Sequence, residues 1–137
     1  MRLSEAIRAG HKGLRQSYTE YERTRVRDGR IVTVGVCALG SANRAMNRAM
    51  ASENKIWPWA DTHQENLQCA VEGCTDGARG VTVFDLIVHL NDEHHWTFDQ
   101  IADEVQVLEA INGVEQGALS SGDTKTPARA KVPADAS

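Results

Sequence analysis

The chain has 137 residues, of which 41% are hydrophobic and 25% charged, with a formal net charge of −4. No apolar run approaches the roughly 20 residues that span a bilayer, and the first residues lack the apolar segment of a signal peptide. Three cysteines are an odd count for a disulfide framework, so a reducing cytosol is expected, without membrane contact. Aromatic residues are only 5% of the chain, and the modest core this implies is of the kind that a structural metal helps to hold.

The charge is unevenly spread. Residues 1–50 carry ten Lys/Arg against four Asp/Glu, whereas residues 80–124 carry nine Asp/Glu and no Lys or Arg. Two halves of opposite sign either attract each other or face different partners.

In chain order, Leu3, Ile7 and Leu14 recur near helical spacing, with Ser4 placed to cap the first turn. Gly10 and Gly13 weaken that helix, which is expected to stop near Ala9. Residues 25–34 read as a β-hairpin turning at Asp28-Gly29, a pair suited to the positive φ angles of a type I′ turn. Arg23, Arg25 and Arg27 alternate along its first strand and so share a face, with Arg30 just beyond the turn. These four arginines are the candidate partner-binding residues.

Residues 35–40 lead into a helix expected to run through Met50, which would stack Met46 on Met50 and Arg44 on Arg48. Cys37 stands near its start. A nucleophile paired with His11 can be imagined there, but no nucleophile motif or third orienting group accompanies it, and a buried structural cysteine is the better reading. Trp57-Pro58-Trp59 is a stiff aromatic segment expected to cap the core, and residues 61–67 are expected to form a short helix.

The most informative stretch is Cys69–x4–Cys74–x14–His89–x4–His94. Two thiolates on a tight loop and two imidazoles around a helix end are a donor set for tetrahedral Zn2+. The two thiolates neutralise the ion, and Gly73 lets the backbone bend back before Cys74. His89 and His94 would point about 140° apart on a continuous helix, so the helix must loosen, with Asn91 the expected place. His95 competes for the fourth position, since its spacing also falls in the tolerated range. Four protein ligands leave no open coordination position, so catalytic residues are not expected.

Residues 75–80 read as a turn. Thr82 with Asp85 caps the helix carrying His89, and Val81 and Leu86 occupy the staple positions. Thr97 and Gln100 form a second capping box with Trp96 and Ile101 as its staple. Phe98, Ile101, Ala102, Val105, Leu108 and Ile111 make the apolar stripe that follows, and Asn112-Gly113 ends it. The His89 helix is apolar on most sides and acidic at its end, unlike a major-groove reader.

Several segments occur together in order: Leu-Ser-Glu-Ala-Ile-Arg-Ala-Gly at 3–10, Cys-Ala-Leu-Gly at 37–40, Trp-Pro-Trp at 57–59, the paired cysteines, His-Leu-Asn-Asp-x-His-x-Trp at 89–96 and Ile-Ala-Asp at 101–103. This order resembles a set of small proteins of tailed phages and prophages, over roughly residues 3–110. The resemblance implies a phage or prophage origin, favours His94 over His95, and carries no activity. The basic hairpin and the tail depart from it.

The expected fold is α+β: a small, mostly helical domain with one hairpin and a C2H2-type zinc knuckle. The organisation is an N-terminal helical lobe with the hairpin over residues 1–60, a zinc-finger-like lobe with two helices over 61–112, and a disordered tail over 113–137. The expected function is a non-enzymatic, zinc-stabilised interaction protein, in the host cytoplasm or the virion, with a phage or host protein as partner. The alternative is a nucleic-acid-binding protein using the Arg23–Arg30 hairpin; the acidic half, which would repel phosphates, favours the protein partner.

Overall fold

The computed structural model describes residues 1–48, 51–64, 67–74 and 81–114. The turn expected at 75–80 and nearly all of the expected tail lie outside them.

Five helices and a three-stranded sheet make up the described chain, in an α+β arrangement. Helix α1 spans Leu3–Ala9, strand β1 Arg15–Gln16, β2 Glu22–Arg27, β3 Arg30–Val36, and α2 Ala38–Ala45. A four-residue α3, Glu53–Ile56, and a 3-10 turn, Pro58–Asp61, lead to α4, Val83–Asp92, and α5, Phe98–Ile111. Among the described residues, no helix is long and apolar enough to cross a membrane.

The hairpin forms as its turn chemistry dictates. Asp28 and Gly29 both take positive φ, 51° and 77°, and the strands pair antiparallel from Arg27↔Arg30 back to Glu22↔Val36, with an irregularity between Arg23 and Thr24. What the hairpin pattern did not reveal is β1. It adds to the far side of β3 in parallel, Arg15↔Gly35 and Gln16↔Val36, giving the order β1-β3-β2.

A single apolar cluster draws on the whole described chain, from Leu3 in α1 to Leu108 in α5. The stripe of α5 buries Phe98, Ile101, Ala102, Val105 and Leu108, while Ile111 stays about half exposed at 53%. Both expected capping boxes are present: Thr82 with Asp85 on α4, and Thr97 with Gln100 on α5. Trp57 is buried and its indole N–H donates to the Met1 carbonyl at 3.1 Å, so this ring does close the core.

Three local expectations are corrected. Ser4 does not cap α1: the cap position is Arg2, whose N–H is taken by the Glu5 carboxylate at 2.8 Å. Ser4 lies inside the first turn, where the buried Glu109 carboxylate accepts both its N–H, at 3.0 Å, and its hydroxyl, at 2.6 Å. That carboxylate satisfies an otherwise unpaired helix donor and sits at the positive end of α1.

Second, α2 ends at Ala45. Asn47 takes a left-handed φ of 55°, so Arg44 and Arg48 do not stack on one helical face, and Met50 lies outside the described residues. Third, residues 62–64 and Leu67 are not helical. Leu67 is buried, and the Gln64 N–H donates to the Val81 carbonyl, which ties this segment to the start of α4.

Gly10 and Gly40 are fixed by close approach. A Cβ on Gly10 would overlap the Ser41 carbonyl, and one on Gly40 would overlap the Tyr21 carbonyl. Both glycines let α2 lie directly against neighbouring backbone.

Candidate metal centre

The ligand atoms of Cys69, Cys74, His89 and His94 lie within 4.8 Å of one another. Each is positioned by a separate local device.

The two cysteines sit on a loop whose apolar residues, Leu67, Ala70 and Val71, are buried. The Cys74 N–H donates to the Val71 carbonyl at 3.1 Å, and Gly73 takes φ 86°. A four-residue turn with positive φ at its third residue is a type II turn, which needs glycine there. The backbone therefore bends where the sequence asks it to, and brings Cys74 back towards Cys69. The Val71 N–H points at the Cys69 sulfur, 3.4 Å away.

His89 stands on α4, near its C-terminal end. The helix does not loosen at Asn91, as the spacing suggested, but continues to Asp92, where Glu93 N–H still donates to the His89 carbonyl at 2.9 Å. The chain reverses beyond it. His95 takes a left-handed φ of 51°, and the Trp96 N–H returns to the Leu90 carbonyl at 3.0 Å. His94, in the bend, is turned back onto His89.

His95 goes the other way and packs on Tyr18, with ring centroids 4.1 Å apart. The structure thus brings His94, and not His95, to the cysteines.

Asn91 has a different task. Its carbonyl oxygen accepts from Gln16 Nε2 at 2.8 Å and from the Ala38 N–H at 3.2 Å, and its amide donates to the Ser17 carbonyl at 2.9 Å. Gln16 Nε2 also donates to the Trp96 carbonyl at 2.6 Å. Strand β1, the start of α2 and the bend after α4 are locked together through these two amides. Sequence reasoning missed both. The available signal was a polar Asn one turn after Ile87 on an otherwise apolar helix face.

Two of the separations are near those around a tetrahedral ion. Cys74 Sγ to His89 Nε2 is 3.4 Å, and His89 Nε2 to His94 Nε2 is 3.1 Å. Around zinc, bond lengths near 2.3 Å to sulfur and 2.05 Å to nitrogen place such atoms about 3.6 Å and about 3.3 Å apart. Together the two imidazoles and two sulfurs form a set that could hold a metal ion.

The remaining sequence candidates lie elsewhere. Cys37 caps α2, accepting the Gly40 N–H at 3.3 Å, and burial pushes its thiol above the usual range. The cleft beside it measures about 120 Å³, well below the roughly 300 Å³ of the smallest usual ligand pockets. His11 is stacked on Phe98, with ring planes 8° apart. Tyr21 is also pushed up, by burial and then by its hydrogen bond to Glu53.

Both shifts favour the neutral form in the folded state. Stability should hold below the ordinary thiol range and fall as pH climbs above about 8.5, first through Cys37 and then through Tyr21. Alkaline denaturation followed by circular dichroism checks this, and Cys37→Ser with Tyr21→Phe should flatten the alkaline limb. The sign would be wrong if stability rose between pH 8 and 10 (about the range where these groups ordinarily ionise).

Arg23, Arg25 and Arg27 line one face of the sheet, and they are joined there by Arg15 of β1. Arg30 stands opposite Arg27 at the tip. Compared with protein-family models, with curated proteins and with solved structures, the chain matches none.

Proposed function

We propose that Cys69, Cys74, His89 and His94 bind one Zn2+ as a closed, C2H2-type structural site, and that the chain is a non-enzymatic, zinc-stabilised binding protein. The observation that carries this reading is the convergence of two sulfurs and two Nε2 atoms within 4.8 Å from a turn and a helix end. The ion would join the cysteine loop to α4, supplying cohesion where the described residues 67–74 form no helix or extended strand. Four protein donors occupy every tetrahedral position, so the site has none for substrate. Cys37, with its raised thiol and small cleft, does not support a nucleophilic alternative.

The sequence resemblance to tailed-phage proteins supports a role in the infected bacterial cell or the virion. In either setting the sheet face with its arginines is the interaction surface.

Elemental analysis of protein purified without added metal tests the reading. About one equivalent of zinc per chain is expected. A value near zero with the fold intact overturns it.

A further inference from the structure

We propose that the arginine face of the sheet binds the phosphodiester backbone of a nucleic acid. This names the ligand class for the binding role proposed above, and it stands on a different part of the molecule from the metal centre.

Across the sheet, Arg15, Gly35 and Arg23 form one row, since Gly35 pairs with both arginines. Gly35 has no side chain to fill the space between them. Arg25 and Arg27 continue along β2, and the four arginines line a groove of about 540 Å³. Alternate residues on a strand are about 6.8 Å apart, twice the 3.4 Å or so of axial rise per phosphate along one DNA strand. Arg27 also faces Arg30 directly across the two-residue turn. Like charges so placed destabilise a hairpin, and an anion between them relieves the repulsion.

Little on the protein offsets these charges. Glu20 pairs with Arg23 at 3.3 Å, and among the described residues Arg15, Arg25, Arg27 and Arg30 make no ion pair. Of the described carboxylates in the acidic half, Glu104 and Glu109 are buried, Asp103 pairs with Arg8 and Asp92 accepts the Thr19 N–H. Asp85, Glu93 and Asp99 are exposed, but none of the seven lines the groove.

The rest of the groove decides between a polyanion and a protein. Protein interfaces rely on a central apolar or aromatic cluster. Here the lining beside the arginines is mainly small or polar, with Tyr18 its one aromatic ring, Val34 its one aliphatic side chain and the Arg23-paired Glu20 its one carboxylate. Guanidinium forks match phosphate oxygens in pairs, and need no apolar anchor to do so.

Fluorescence anisotropy of the full chain with a labelled oligonucleotide, as single strand and as duplex, tests the proposal. Binding should weaken with salt, with a log–log slope of about −0.7 per phosphate neutralised on single strands or about −0.9 on duplex. The double variant R25E/R27E should lose at least about tenfold in affinity and show a shallower slope. R48E/K55E makes the same change in net charge at exposed residues outside the groove, and should bind nearly as wild type. Zinc content, measured in every variant, reports separately on the metal reading. Three results would overturn the proposal: no binding at low salt, equal losses in the two double variants, or capture of polyglutamate as tightly as the oligonucleotide, which would indicate an acidic protein.

Discussion

His94→Ala should release the metal and unfold the cysteine loop, whereas His95→Ala should leave both in place. The two residues are adjacent, and the contrast comes from the bend after α4. His94 Nε2 lies 3.1 Å from His89 Nε2, while the His95 ring packs on Tyr18. A metal that binds only the folded chain stabilises it by about 4 kcal/mol when free ion is a thousandfold above Kd. Loss of one ligand removes most of that, because binding free energy at such a site is folding free energy. His95→Ala loses an aromatic contact of about 1 kcal/mol. Thermal denaturation with parallel zinc analysis checks the pair. The reverse pattern would transfer the fourth ligand to His95.

Gly10→Ala should destabilise the fold by about 3 kcal/mol or more, the upper end of overpacking costs. Propensity alone predicts the opposite sign. Gly10 has an ordinary helical backbone, φ −85° and ψ −10°, where alanine usually stabilises by about 0.4–1 kcal/mol through the unfolded state. The added methyl, however, would meet the Ser41 carbonyl of α2. Both partners are backbone, so relief requires α1 and α2 to separate, and the Ser41 hydroxyl bond to the Ile7 carbonyl at 2.6 Å would go with them. Gly13→Ala provides the comparison: it has open space but φ 75°, and should cost about 1–2 kcal/mol. Urea denaturation at saturating zinc measures both. A stabilised Gly10→Ala would mean that the α1–α2 contact is looser than described.

The sequence was most legible where a short segment decides its own structure. The two capping boxes on α4 and α5, the Asp28-Gly29 turn and the Gly73 bend each depend on residues within a few positions of one another. The four metal-site residues were legible for the same reason, as ligand spacing is a local pattern. Elements that depend on distant partners were not. Strand β1 is two residues long and exists through pairing with β3 twenty residues later. Ser4 looked like a helix cap because nothing nearby announced that Glu109 would come to it. Asn91 resembled a helix breaker, yet its amide is satisfied by β1 and α2, so the helix runs past it. The expected length of α2 failed where the repeated Asn-Arg-Ala-Met suggested continuity and Asn47 instead turned left-handed.

The bond between Ser4 and Glu109 joins residues 105 positions apart, and this sets an order of events during synthesis. Helix α1 is made before the other elements described, but at seven residues it is too short to persist alone. Its buried face rests on α2 and α5, and the carboxylate that completes its first turn is among the last of the described residues to be made. The ligand set from Cys69 to His94 is complete earlier. On the zinc reading proposed above, the local turn and helix end that carry the ligands are made before the segment that closes the core. A chain ending between His94 and Glu109 would have all four proposed ligands and still lack the carboxylate that completes the first turn of its N-terminal helix.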